Sequence, residues 1–277
     1  MRNFKLEIKM IIVISAMLAV SFSLMSAAEE SKGDAASESK QFRRAISEYQ
    51  AAIKKNGETE ALLAKLARAY DAAAWYGQSV QVWEKILDKY PDGKCHDEAA
   101  KRAAAARRWI GVNFYNLGED ASKTVRQLEL AVKLDPDLKD GYFWLGRVLL
   151  EQGDTEGAVK AFEKLKALDP KDKTSIWLLK EARGMKDNGA EAYILYRDGF
   201  FLYEKGKLDE AAAKYSEAVN KNPSFANAWL WLARIRFEQG RFADAIPFWR
   251  KVLELQPDNK RAEWFLKLSK KSAQNSK

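Results

Sequence analysis

Cysteine and histidine each occur once in the 277 residues, and proline only six times. A single Cys cannot close an internal disulfide, and one Cys with one His cannot build a Cys/His zinc cluster or two separate Ser-His-type sites. Six prolines and 15 glycines are too few for a collagen-like or a Pro/Gly-rich disordered chain, and so few turn formers argue for helix. No Gly-rich phosphate loop, His-Glu-x-x-His or Cys-x-x-Cys spacing occurs. Cys95 and His96 are adjacent, which is not a ligand spacing, and no Ser-His-Asp or Cys-His-Asn arrangement supports them. A richly equipped metalloenzyme or thiol enzyme is therefore excluded. The chain reads as non-catalytic, with no cofactor and no metal.

Apolar residues make up 47% of the chain and charged residues 31%, enough to bury a large core. This length suits one or two ordinary domains or one elongated array. The net charge of +8 raises nucleic acid as a partner. Lys and Arg, however, are interleaved with Asp and Glu along helical stretches, and the N-terminus points to export, so no nucleic-acid partner is expected.

Arg2, Lys5 and Lys9 precede the uncharged run Met10 to Met25, and Ser26-Ala27-Ala28 then offers small residues before Glu29-Glu30. These are the three parts of a secretory signal over residues 1–28. The run is shorter than the ~20 residues that span a bilayer, yet long for a signal core, so an uncleaved anchor remains the alternative. In either case everything from Glu29 onward is exported, periplasmic or secreted, and the membrane is met only through an uncleaved N-terminus. No Cys follows the run, so lipid attachment is absent. Residues 29–41 contain no large apolar residue and are expected to be a disordered tether.

The prolines then supply a register. Pro91, Pro136, Pro170, Pro223 and Pro257 each close a helical run such as Ala-Val-Lys-Leu-Asp-Pro at 131–136. They are 45, 34, 53 and 34 residues apart, two intervals of ~34 and two longer ones. In 139–172 the recurring positions are held by Tyr142, Leu145, Gly146, Leu149, Gly153, Ala158, Phe162, Leu165 and Pro170; in 192–225 by Leu195, Gly199, Leu202, Gly206, Ala211, Tyr215, Ala218 and Pro223. In 226–259 Trp229, Leu232, Ala233, Gly240, Ala245, Trp249, Val252 and Pro257 hold them. The copy at 60–93 has Trp75-Tyr76-Gly77 in place of the usual Gly turn, and the copy at 94–138 has a lengthened first helix, Asp97 to Asn116.

This pattern closely resembles the tetratricopeptide repeat. The resemblance implies an all-α fold, a right-handed α-solenoid of about five helix-turn-helix units with capping helices. Residues 42–59 read as an N-terminal half repeat, with Ala45, Tyr49 and Ala52 in second-helix positions, and 260–277 as a C-terminal capping helix and tail. Residues 173–191 hold one amphipathic helix, Thr174 to Arg183, before Gly184 and Gly189. It reads either as a joining helix and hinge or as a degenerate repeat without functional meaning.

In this family the first helices line a concave groove. Carried onto this sequence, the partner-binding residues are Arg108, Trp109, Tyr115, Phe143, Trp144, Arg147, Tyr196, Phe200, Tyr203, Trp231, Arg234 and Phe237. Aromatics and Arg gain much contact for little lost freedom, which makes them the usual hot spots. The opposing readings are that Trp109, Trp144 and Trp231 pack as core, and that Arg147 and Arg234 are solvated charges paired with Glu151 and Glu238 four residues on. Val112, Arg147, Phe200 and Arg234 stand where the family's chaperone-binding subgroup carries its clamp Asn, so that subgroup is not expected. The reading is a protein-binding scaffold in the cell envelope, with polysaccharide binding by the aromatic groove as the alternative.

Overall fold

Residues 28–275 are described in the computed structural model, and among them every regular element is an α-helix. The segment 28–38 forms α1. It is followed by α2 (Phe42–Asn56), α3 (Glu60–Ala72), α4 (Tyr76–Lys89), α5 (His96–Asn116), α6 (Ala121–Leu134) and α7 (Lys139–Glu151). Then come α8 (Thr155–Leu168), α9 (Lys173–Asn188), α10 (Ala190–Glu204), α11 (Leu208–Lys221), α12 (Ala226–Glu238), α13 (Phe242–Leu255) and α14 (Lys260–Asn275). The proposed signal at 1–28 lies outside the described residues except for Ala28. Among the described residues no helix is long and apolar enough to cross a membrane.

The chain divides into two compact units, one ending at Val148 and the other beginning at Leu149, within α7. In the first unit α2, α3, α4 and α5 each pack on the next helix in sequence; in the second, α8 to α13 do the same. Short turns make consecutive helices antiparallel neighbours.

One small residue per repeat allows each second helix to approach its partner. Ala45, Ser79, Thr124, Ala158, Ala211 and Ala245 are all fully buried. Four residues on, about one helical turn, stand Tyr49, Trp83, Leu128, Phe162, Tyr215 and Trp249, each at most 3% exposed. A large side chain filling the space beside a small residue satisfies close packing without a void. Turns show the same ladder: Lys40, Ala74, Gly118, Gly153, Gly206 and Gly240 all have positive φ, between 57° and 81°. A left-handed residue at this point ends the first helix and returns the chain.

That ladder corrects the reading of the N-terminus. Residues 29–41 are not a disordered tether: α1 is a folded first helix and Lys40 its left-handed turn, so α1 and α2 form a helix pair in the same register as the others. The side chain of Tyr49 donates a hydrogen bond to Asp34 at 2.9 Å, and Lys65 donates to Glu30 at 2.8 Å and to Asp34 at 2.7 Å. Ala36 is buried at 5% exposure. Polar α1 is thus held by charge and by one aromatic ring rather than by an apolar stripe.

The second difference is α9. It runs through Gly184 to Asn188 rather than stopping at Arg183, and it packs on α8 and α10. Its N-cap Asp172 accepts from the backbone N–H of Thr174 and Ser175. The division of the chain falls at Val148, not at 173–191.

Candidate functional site

Among the described residues of the first unit α5 is the longest helix, 21 residues, and its Ala99, Ala103, Ala104 and Ala106 are buried. That alanine face lets α5 lie close on α4 and leaves Arg102, Arg107 and Arg108 on its other sides. Arg107 is firmly held: it donates to both oxygens of Glu84 at 2.5 and 2.7 Å and to Gln127 at 2.7 Å. Arg108, the next residue, faces another way. Together with Arg68, Asp71, Tyr76, Arg102 and Trp109 it lines a cavity of about 450 Å³. The rings of Tyr76 and Trp109 meet at 4.4 Å, and Trp109 is 41% exposed.

Further along this unit, Tyr115 of α5 and Trp144 of α7 have ring centroids 5.6 Å apart, and Phe143 meets Trp144 edge-on at 5.6 Å. The Arg147 guanidinium lies 5.5 Å from the Tyr115 ring and 5.2 Å from the Trp144 ring. It also donates to the Tyr115 hydroxyl at 3.2 Å.

The second unit repeats that arrangement. Tyr203 of α10 and Trp231 of α12 meet at 4.7 Å, and the Arg234 guanidinium lies 5.3 Å from the first ring and 4.9 Å from the second. Spacing explains the likeness: Arg follows Trp by three residues in both copies, so both side chains share one helix face. Glu238 completes this set, accepting from Arg234 at 2.8 Å and from the Tyr203 hydroxyl at 2.9 Å. The hydrogen bond to Glu238 holds the Arg234 guanidinium above its ordinary value, and burial, then the Glu238 bond, raises the Tyr203 hydroxyl.

Each Trp has a different environment. Trp109 is largely open, whereas Trp144 and Trp231 are half-buried. Trp231 presents one face to Tyr215, stacked at 5.9 Å and 5°, and its edge to Phe200 at 5.7 Å. Tyr196 packs among Tyr193, Tyr215 and Phe225, and burial raises its hydroxyl pKa. Phe237 meets Phe242 at 5.1 Å and Phe265 at 5.2 Å, so its ring is engaged with α13 and α14.

A second cavity, of about 440 Å³, is lined by Trp177, Tyr196, Arg197, Phe200, Phe201 and Asn227, among others. Trp177 and Phe201 belong to no predicted groove position, yet stand 54% and 55% exposed there. Trp177 escaped the repeat reading because α9 has no place in the 34-residue register. Glu181, which also lines it and is 5% exposed, accepts from Tyr193 at 3.1 Å and from Arg197 at 3.3 Å.

Among the described residues no group of three or more His, Cys, Asp or Glu could hold a metal ion. The Cys95 thiol is pushed up, first by burial and then by Glu60, away from the reactive thiolate.

Family models described as tetratricopeptide repeat match residues 140–172 and 202–260. Among curated proteins, tetratricopeptide repeat protein 37 of Xenopus laevis is 22% identical over 173 residues, 54% of this chain and 11% of that protein. The cytochrome c-type biogenesis protein CycH of Pseudomonas aeruginosa is 28% identical over 132 residues, 48% of this chain and 28% of that protein. The chain thus matches only a small part of the length of these relatives. Among solved structures, a tetratricopeptide repeat protein from Parabacteroides merdae is similar with a TM-score of 0.40 at 16% identity, covering 88% of this chain and 98% of that one.

Proposed function

We propose that this chain, which its repeats at 140–172 and 202–260 place in the tetratricopeptide-repeat family, is a non-catalytic scaffold that grips segments of a partner protein. The gripping surfaces are the aromatic and arginine faces of its two units. One observation carries the reading: the Tyr–Trp–Arg set occurs twice, as Tyr115, Trp144 and Arg147 and as Tyr203, Trp231 and Arg234, with the guanidinium about 5 Å from both rings each time. Core packing asks for no arginine at that point. A guanidinium laid on a half-exposed ring instead offers a flat, preorganised surface, which is what binding hot spots use. We further propose that residues 1–28 export the chain to the cell envelope, as periplasmic or secreted protein after cleavage and as a membrane-anchored one without it.

A photo-crosslinking side chain placed at Phe143 and at Phe200 in cells tests the scaffold. A discrete protein adduct that disappears when Trp144→Ala or Trp231→Ala is added supports it. Adducts no stronger than those from outward positions such as Lys160 and Lys214 reject it. N-terminal sequencing of the protein recovered from cells tests export, with Glu29 as the expected first residue.

A glycan is the second reading. It is supported by the exposed rings of Trp177, Phe200 and Phe201 beside Asp187 and Asn227, since sugars stack on aromatic faces and bond to planar polar groups. Saturable tryptophan quenching by oligosaccharides, lost in Trp177→Ala, distinguishes this reading from the first.

A further inference from the structure

We propose that the outward face of α14 in the second unit is a peripheral membrane contact, in which a lysine stripe around Trp264 lies on a surface of anionic phospholipid. This goes beyond the scaffold reading and does not depend on it.

α14 carries five basic residues, Lys260, Arg261, Lys267, Lys270 and Lys271, against one acidic residue, Glu263. α11, by contrast, sets Asp209, Glu210 and Glu217 against Lys214 and Lys221. Position along the helix decides where the surplus charge points. At about 100° per residue, Lys260, Trp264, Lys267 and Lys271 fall within an arc of about 60°, and Ala262, Phe265 and Ser269 fall on the opposite side. Ala262 and Ser269 are fully buried, while Phe265 stacks on Trp249 of α13 at 5.0 Å and meets Phe237 of α12 at 5.2 Å. One face therefore fixes the helix. The stripe is turned to solvent, with all four of its residues exposed.

Trp264 is what charge alone does not explain. At 57% exposure it is the most open tryptophan among the described residues. A capping helix needs a polar outer face for solubility, which lysines supply and a tryptophan does not. Its ring meets Phe265 edge-on at 4.8 Å, which braces it in the outward position. Tryptophan among lysines suits a membrane–water boundary: the ring sits at headgroup level, and the lysine stems run beside it and carry their ammonium groups to the phosphates.

Charge complementarity selects the lipid. Glu263 is shared between Lys267 at 2.8 Å and Lys260 at 3.8 Å, and among the described residues Lys270 and Lys271 have no carboxylate within ion-pair distance. That surplus is open to an array of negative charges. An anionic bilayer is such an array, and its mobile headgroups need no fixed register with the side chains; a zwitterionic bilayer offers no such attraction. Because the apolar side of α14 stays packed on α13, the contact is superficial and reversible rather than an insertion. It gives the chain a membrane contact separate from its N-terminus.

Vesicles with brominated acyl chains test this on the full chain, because they quench tryptophans that reach the bilayer. All nine tryptophans lie at or beyond Trp75, so a membrane-bound segment 1–28 does not imitate the signal. The extra quenching of the parent chain over Trp264→Phe reports Trp264. On phosphatidylcholine vesicles containing about one-third phosphatidylglycerol, that signal is expected to half-saturate at about tenfold less lipid than on phosphatidylcholine alone. Lys260→Gln, Lys267→Gln and Lys271→Gln together should remove most of this preference, as should about 1 M sodium chloride. Lys270→Gln with Lys271→Gln, which breaks no ion pair, should reduce it in the same direction. Lys160→Gln, Lys164→Gln and Lys166→Gln on α8, an equal change of charge, should leave it intact. No quenching of Trp264, equal quenching on the two lipids, or a preference that survives the triple substitution on α14 would overturn the contact. A shift of Trp264 emission with polyglutamate but no quenching by vesicles would give the face to an acidic protein, and would overturn it as well. Crosslinks at Phe143 and Phe200 are read separately, so the scaffold reading stands or falls without this result.

Discussion

The Tyr49 hydroxyl donates to Asp34 at 2.9 Å, and this bond joins α1 to the helix that begins the regular array. Burial, then the Asp34 bond, drives the Tyr49 hydroxyl well above the ordinary tyrosine range. Asp34→Ala removes that acceptor and one of the two carboxylates held by Lys65. A loss of about 1 kcal/mol is expected, read as a lower urea midpoint. An unchanged midpoint would mean that α1 adds nothing to the fold.

Gly184 sits under the Tyr193 ring, where a Cβ would come within 2.0 Å of Cε2. Gly→Ala inside a helix ordinarily stabilises by about 1 kcal/mol. Here the sign reverses, because the ring cannot retreat without breaking its bond to Glu181. Gly184→Ala should cost about 2 kcal/mol or more by denaturant unfolding.

Ala74 occupies a turn where four other repeats have glycine, with φ of 58°. A left-handed conformation costs a residue with a Cβ roughly 1 kcal/mol. Ala74→Gly should therefore raise stability by up to about that amount, offset in part by a more flexible unfolded chain.

Tyr215 is fully buried and its hydroxyl has no hydrogen-bond partner. Burial, the largest cause, pushes its pKa far above the ordinary tyrosine value, and that of Tyr193 as well. Above about pH 10 the unfolded chain releases these protons while the folded chain keeps them, so the unfolding free energy falls as pH rises. The stability they contribute is fully present below that pH and is lost above it. Tyr215→Phe should gain about 1 kcal/mol at neutral pH and make the alkaline loss shallower, as read from urea midpoints at about pH 7 and pH 11.

Trp231 and Trp109 occupy corresponding regions of two repeats but should respond differently to truncation. Trp231 stacks on Tyr215, whereas Trp109 is 41% exposed with its ring against Tyr76. Trp231→Ala should cost about 3 kcal/mol and Trp109→Ala under about 1 kcal/mol, compared by thermal or urea unfolding.

Much of the repeat register was legible in the residues because it rests on local rules. The interval of 34 residues between Pro136 and Pro170 fixes a helix pair, and Ala158 with Phe162, one turn apart, can meet only a neighbouring helix. The faces were legible in part for the same reason: Trp231 and Arg234, three residues apart, must share a side of α12. Absent from the local pattern were contacts between residues distant in sequence. The segment 29–41 has no apolar stripe, and its order depends on Lys55, Lys65 and Tyr49, which lie in later helices. Trp177 and Phe201 line a cavity only because α9 and α10 pack together.

The sequence by itself determined an all-helical repeat protein with its turns, its small-residue ladder and its large buried residue in each second helix, because helix periodicity and steric size are properties of neighbouring residues. Tertiary structure alone decided three things. A polar N-terminal segment folds as a helix, since its partners are ion pairs from α2 and α3. The chain divides at Val148 rather than at the irregular interval, since packing and not register sets where contacts thin out. Arg107 is satisfied while Arg108 is not, since two adjacent residues on a helix point about 100° apart and only one of them meets Glu84.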